Sequence, residues 1–194
     1  MPDFSSIPNN EYMDFFEEAD DNKVEAAPER KWKVMIIDDD QEVHNVTKLV
    51  LNDFVFKNAG IEFLSAYSGK EAKLLIADNP DIAVILLDVV MEEEDSGLKL
   101  VHYIRNELKN DEVRIILRTG QPGQAPERKV IFDFDINDYK EKTELTSQKL
   151  FTTIVSSLRA YESIHFANLN KKGLEKVIEA TNNLFEVQSI TRLS

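Results

Sequence analysis

The sequence contains no cysteine, which excludes disulfides, thiol catalysis and thiolate metal sites. It has no apolar stretch long enough to cross a bilayer. Its first residues, Met1-Pro2-Asp3-Phe4, have neither the basic nor the apolar region of a signal peptide. The expectation is a cytoplasmic protein with no membrane contact. Basic residues are also scarce: 23 Lys and Arg stand against 36 Asp and Glu, a formal net charge of -13. A surface this acidic disfavours nucleic-acid phosphates, so no direct nucleic-acid binding by this chain is expected. The three histidines, His44, His102 and His165, share no metal-ligand spacing. What is present is 194 residues with 42% hydrophobic content, enough for one well-buried domain and additional segments.

The apolar residues are grouped. Val34-Met35-Ile36-Ile37 ends in Asp38, Asp39 and Asp40, and Ile82-Ala83-Val84-Ile85-Leu86-Leu87 ends in Asp88. Short unbroken apolar runs of this kind read as strands buried on both faces. Ile61 to Ala66, Val113 to Arg118 and the more polar Ile136 to Tyr139 complete five strands. Helical patterns lie between them. Gln41 to about Asn58 carries Val43, Val46, Val50 and Phe54 on one stripe, with Asp40 as N-cap. Ser68 and Glu71 have capping-box spacing before Ala72, Leu75 and Ile76, and Asn79-Pro80 stops that helix. Gly97 to Asn110 has Leu98, Val101, Ile104 and Leu108 inward. A weaker helix covers Glu127 to Phe132. The fifth opens at Thr146, with Leu145 and Leu150 at staple spacing, and carries Leu150, Ile154, Leu158 and Tyr161.

Strand–helix repeated five times over about 130 residues implies right-handed crossovers between parallel strands. The fold class is α/β: a doubly wound five-stranded parallel sheet, flavodoxin-like, strand order 2-1-3-4-5, with a C-terminal helical extension. The chain divides into three segments. Residues 1–30 form an acidic tail with too few apolar side chains to offset ordering entropy, and are expected to be disordered. Residues 31–162 form the domain. Residues 163–194 form a helical linker or the start of a following region, with Lys171-Lys172-Gly173 as a possible break and pairing with a second copy as one role.

In this topology the first and third strands are neighbours, so Asp38, Asp39 and Asp88 converge at their carboxyl ends, where open α/β sheets bind ligands. Close carboxylates repel and raise one another's pKa. A hard divalent cation such as Mg²⁺, or Mn²⁺ in its place, resolves the conflict through oxygen ligands. Thr119 ends the fourth strand and Lys142 follows the fifth. A metal, a lysine and a hydroxyl around a central carboxylate suit a phosphoryl group, with Asp88 as the nucleophile.

These residues carry a resemblance. The pair Asp38-Asp39, then Asp88 after Ile85-Leu86-Leu87, Thr119-Gly120 after Ile115-Ile116-Leu117-Arg118, and Asp138-Tyr139-Lys140-Glu141-Lys142 resemble, in order, the receiver domain of two-component response regulators. The resemblance implies Mg²⁺ held by Asp39 and Asp88, by Asp38 through water, and by the backbone carbonyl of Val90. It implies a switch pair, Thr119 and Tyr139, and phosphorylation of Asp88 by a sensor histidine kinase or phosphotransfer protein. It also implies an output face of fourth helix, fifth strand and fifth helix, a homodimer through that face or the C-terminal helix, and no enzymatic activity beyond self-phosphorylation and its reversal. Two departures stand out: Glu92 and Thr143 occupy positions where the family usually has proline. The stretches Leu87 to Glu92, Leu117 to Glu127 and Asp135 to Lys140 resemble receivers that precede HD-GYP cyclic-di-GMP phosphodiesterase domains. Gly173 to Ala180 resembles the region between the two. No His-Asp metal motif of such a phosphodiesterase occurs in this chain.

Two rival readings remain. The lost prolines motivate a pseudo-receiver that assembles without phosphorylation. A phosphatase with an Asp nucleophile needs a second acid two residues on, where this chain has Val90. The acidic loop Glu92 to Asp95 reads as solvated.

Overall fold

A computed structural model describes residues 30–93, 95–120, 136–141 and 146–191. Its five strands are β1 (Lys31–Ile37), β2 (Gly60–Ala66), β3 (Val84–Asp88), β4 (Arg114–Thr119) and β5 (Asp138–Glu141). They form one parallel sheet in the order β2-β1-β3-β4-β5. Its helices are α1 (Gln41–Val50), α2 (Gly69–Asp78), α3 (Ser96–His102) and α4 (Ser147–Thr191). The expected weak helix at Glu127 to Phe132, the acidic tail and the Leu145 half of the staple lie outside the described residues, so α4 is the helix expected as the fifth.

Alternation along the strands sorts the core into two layers. Met35, Ile37, Ile85, Leu87, Ile115 and Leu117 face α2 and α3, packing on Ala72, Ile76, Leu100, Val101 and Ile104. Val34, Ile36, Val84, Leu86 and Ile116 face the other way, onto Leu51, Phe54, Leu150, Ile154, Leu158 and Tyr161. The unbroken apolar runs read from the sequence are the consequence of this double burial.

Several local expectations need correction. The first helix ends at Val50 rather than near Asn58. A tight turn comes next, in which Lys57 and Asn58 take φ of 51° and 59° and Phe56 pairs with Ala59. The inward residues of α1 and its C-cap are His44, Thr47 and Leu51, while Val46 is exposed and Val43 and Val50 are half-buried. The helix expected over Gly97 to Asn110 is α3 continued by one wide turn, Tyr103–Glu107, where the Leu108 amide donates to the Tyr103 carbonyl. Lys109 then takes φ of 53° and leaves Leu108 exposed. At α2, Ser68 Oγ accepts from the Glu71 amide at 3.2 Å, as the capping-box spacing predicts.

The C-terminal helix has no break at Lys171-Lys172-Gly173. It runs 45 residues without interruption, as Gly173 costs only about 1 kcal/mol in a helix interior. Its first half is buried through Leu150, Ile154, Leu158 and Tyr161, as expected. Just beyond, Glu112 grips it: one carboxylate oxygen lies 2.7 Å from His165 Nδ1, and the other accepts from Asn168 Nδ2 at 2.9 Å. Tyr161 stacks on His165. Further on, Phe166, Leu169, Leu174, Val177 and Ile178 are exposed. Among the described residues no helix is long and apolar enough to cross a membrane.

Candidate functional site

The carboxyl edges of β1 and β3 bring Asp38, Asp39 and Asp88 together. One carboxylate oxygen from each lies within 4.8 Å of the others. Asp38 and Asp88 are almost wholly buried, and Asp39 is exposed. The β1–β3 register pairs Ile37 with Leu87, which sets Asp38 beside Asp88 one step further on. Asp38 Oδ1 accepts from the Asp40 amide at 3.1 Å, and its own amide donates to the Ala66 carbonyl at 3.2 Å. Two buried carboxylates and one open to solvent form an all-oxygen donor set suited to a hard divalent cation.

A fourth residue belongs to this cluster and was not singled out from the sequence. Arg118 is the register partner of Asp88 on β4 and is 3% exposed. Its Nη2 lies 3.6 Å from Asp38 Oδ2, and its Nη1 donates to Thr47 Oγ1 on α1 at 3.1 Å. Burial pulls the guanidinium below its ordinary pKa, while Asp38 and Asp88 push it back up. The available signal was an arginine inside a run of Ile and Leu, since charged residues are almost never fully buried unless paired. His44, one of the three histidines without metal-ligand spacing, is a core residue. Its Nε2 lies 2.8 Å from the Asp38 carbonyl oxygen and its Nδ1 3.1 Å from Ser65 Oγ. Burial pulls it below the ordinary histidine pKa, against the Asp38 carbonyl and carboxylate, which push it up. The carbonyl can only accept, so Nε2 carries a proton and donates it to Asp38.

Thr119 is fully buried at the end of β4. Tyr139 is half-buried on β5, in register with Leu117, and packs against the α2/α3 layer. By strand alternation Thr119 faces that same layer, whereas Asp38, Asp88 and Arg118 face α1 and α4. The expected set is therefore drawn from both faces of the sheet edge. Val90 sits two residues past Asp88, and its amide donates to Asp88 Oδ1 at 3.4 Å. Lys142 lies outside the described residues.

The acidic side chains of the loop after Asp88 that are described, Glu92, Glu93 and Asp95, are exposed, as expected, and each has a partner. Glu92 Oε1 accepts from the Gly69 amide at the start of α2 at 2.9 Å, where a negative charge is favoured. Glu93 and Asp95 both pair with Lys99. Gly97 crosses directly over the loop: its amide donates to the Val89 carbonyl at 3.1 Å. A Cβ there would lie 2.3 Å from the Asp88 carbonyl oxygen, so only glycine lets α3 start this close.

Residues 34–155 match the family model of the response regulator receiver domain. The chain belongs to this family. A second model, a domain of unknown function (DUF3369), matches residues 154–194 of the receiver chain. The chain is 48% identical over 187 residues to 3'3'-cGAMP-specific phosphodiesterase 2 of Vibrio cholerae serotype O1, covering 92% of this chain and 35% of that protein. The chain thus spans about a third of that relative's length. A chemotaxis protein CheY homolog of Campylobacter jejuni is 31% identical over 93 residues, covering 48% of this chain and 68% of that protein. Among solved structures, the signal receiver domain of an HD domain-containing protein from Pseudomonas fluorescens superposes with a TM-score of 0.60 at 18% identity, covering 72% of this chain and 96% of that one. A receiver domain from Clostridium thermocellum gives 0.58 at 22% identity, covering 69% and 98%. Receivers bind Mg²⁺ through acidic residues, and this chain has the acidic cluster in place.

Proposed function

We propose that this receiver is a phosphorylation switch with Asp88 as phosphoacceptor. The single observation that supports it best is the meeting of Asp88 with Asp38 and Asp39 at the carboxyl edge of the central strands. A carboxylate oxygen of Asp88 attacks the phosphorus of a phosphohistidine on a sensor kinase or phosphotransfer protein. The P–N bond breaks and the imidazole leaves, giving an acyl phosphate on Asp88. Asp39, Asp88 and the Val90 carbonyl, with Asp38 through water, are the residues that would hold Mg²⁺ or Mn²⁺. That ion supplies charge neutralisation at the transferring phosphoryl group. Lys142 is assigned a second share of that charge. Thr119 would hydrogen-bond a phosphoryl oxygen and Tyr139 would follow it inward, biasing a two-state equilibrium.

The signal leaves through β5 and α4. Within the division of the chain at 31–162 and 163–194, α4 carries it from the switch into the C-terminal segment. The exposed residues Leu174, Val177 and Ile178 favour a homodimer through this helix. Where the chain forms part of a longer protein, the Vibrio cholerae relative favours a cyclic-dinucleotide phosphodiesterase as the output. No metal motif for that activity occurs in the 194 residues of this chain.

Intact-mass spectrometry with Mg²⁺ and acetyl phosphate tests the switch. The expected result is a labile gain of one phosphoryl group that Asp88→Asn abolishes. No gain with acetyl phosphate or phosphoramidate would instead favour assembly without phosphorylation.

A further inference from the structure

We propose that Arg118 is a resident counter-ion of the carboxylate pocket, holding the metal-free site together and competing with the metal for Asp38. The inference rests on the reading of Asp38, Asp39 and Asp88 as a cation site.

Three observations carry it. First, Arg118 stands in cross-strand register with Asp88, on the same sheet face as Asp38. Its charge is therefore fixed to the sheet beneath the pocket. Second, its contact with Asp38 is electrostatic, at 3.6 Å. Its Nε and Nη2 make no hydrogen bond among the described residues. A pair held by charge alone yields readily when another cation claims the carboxylate. Third, Thr47 anchors the guanidinium from α1, so Arg118 stays in place with or without metal.

The physical consequence has two sides. Without metal, two buried carboxylates and a third at the surface would repel one another, and Arg118 cancels one unit of that charge inside the protein. With metal, a divalent ion sharing Asp38 meets a guanidinium that cannot reach solvent. Even in the dielectric of bulk water, a single and a double positive charge about 5 Å apart repel enough to lower affinity roughly tenfold, and a buried guanidinium repels more. The site thus gains stability without metal and loses metal affinity through the same residue.

The test is Mn²⁺ titration followed by electron paramagnetic resonance of the free ion, together with thermal unfolding in EDTA. Arg118→Met should bind Mn²⁺ at least tenfold more tightly than the wild type and unfold at a lower temperature in EDTA, with Mn²⁺ restoring it. Thr47→Val, which only loosens the anchor, should shift both in the same direction by less and guards against a Met variant that does not fold. Equal Mn²⁺ affinity in wild type, Arg118→Met and Thr47→Val, with Asp39→Asn abolishing binding, would overturn the counter-ion role and leave the cation site standing. Absence of Mn²⁺ binding in all of them would overturn both.

Discussion

Replacing Gly97 with alanine tests how tightly α3 is fitted to the loop that follows Asp88. The new Cβ would sit 2.3 Å from the Asp88 carbonyl oxygen, 2.8 Å from Val89 Cα and 3.0 Å from the Val89 carbonyl oxygen. Ordinary contact needs more than 3 Å, so the backbone must part by about 1 Å. All three obstacles are main chain, and no side chain can rotate away. The hydrogen bond that the Gly97 amide donates to the Val89 carbonyl would be strained or lost. Overpacking of this kind costs about 1–3 kcal/mol, and the upper half of that range is expected. For a chain of this size that lowers the melting temperature by roughly 4–12 °C. The displaced segment begins at Asp88, the proposed phosphoacceptor, so phosphoryl transfer should suffer too: a 1 Å misplacement can slow a reaction about a hundredfold. Differential scanning calorimetry and the rate of phosphoryl gain from acetyl phosphate read the two effects separately. A Gly97→Ala protein that melts and phosphorylates like the wild type would refute the close-approach argument.

Three further outcomes are expected. Gly173→Ala, at a glycine with nothing within 4 Å of a built Cβ, should stabilise α4 by about 0.5–1 kcal/mol, read as slower amide exchange around residue 173. Ile154→Ala, at a fully buried position of α4, should cost about 2–5 kcal/mol in chemical denaturation. Burial raises the Glu112 pKa, but hydrogen bonds from His165 and Asn168 outweigh it and bring the carboxyl below its ordinary 4.5. The unfolded chain therefore takes the proton first, so the stabilisation is full above pH 4.5 and lost as pH falls through the lower folded value. Relative to Glu112→Gln, the wild type should be more stable at pH 7, with the gap closing below pH 4.5. A constant gap would contradict the ionic grip on α4.

The sheet and the carboxylates were legible because the inner strands β1, β3 and β4 are buried on both faces and each acid stands at a strand end. Period and punctuation alone place Asp38 and Asp88. The inner face of α1 was not legible. Its valines suggested an apolar stripe, yet the helix lies over a polar floor, the Asp38 carbonyl and Arg118, and therefore turns His44 and Thr47 inward. Hydrophobic periodicity cannot register a helix whose partner is polar. Arg118 was visible as an anomaly, a charge within a buried strand, but its meaning depends on the β3–β4 register. Gly97 is required by main chain eight or nine residues earlier, a proximity that no local pattern encodes. The supposed break at Lys171-Lys172-Gly173 rested on the weak propensity cost of one glycine, which the flanking helix outweighs.

The most direct measurement of the central claim is trapping the acyl phosphate. Protein treated with Mg²⁺ and acetyl phosphate is reduced with borohydride, which converts a phosphorylated aspartate to homoserine with loss of phosphate, and the product is mapped by tandem mass spectrometry. The account predicts homoserine at position 88 alone. Homoserine elsewhere, or an unchanged Asp88 under conditions that phosphorylate a control receiver, would contradict it.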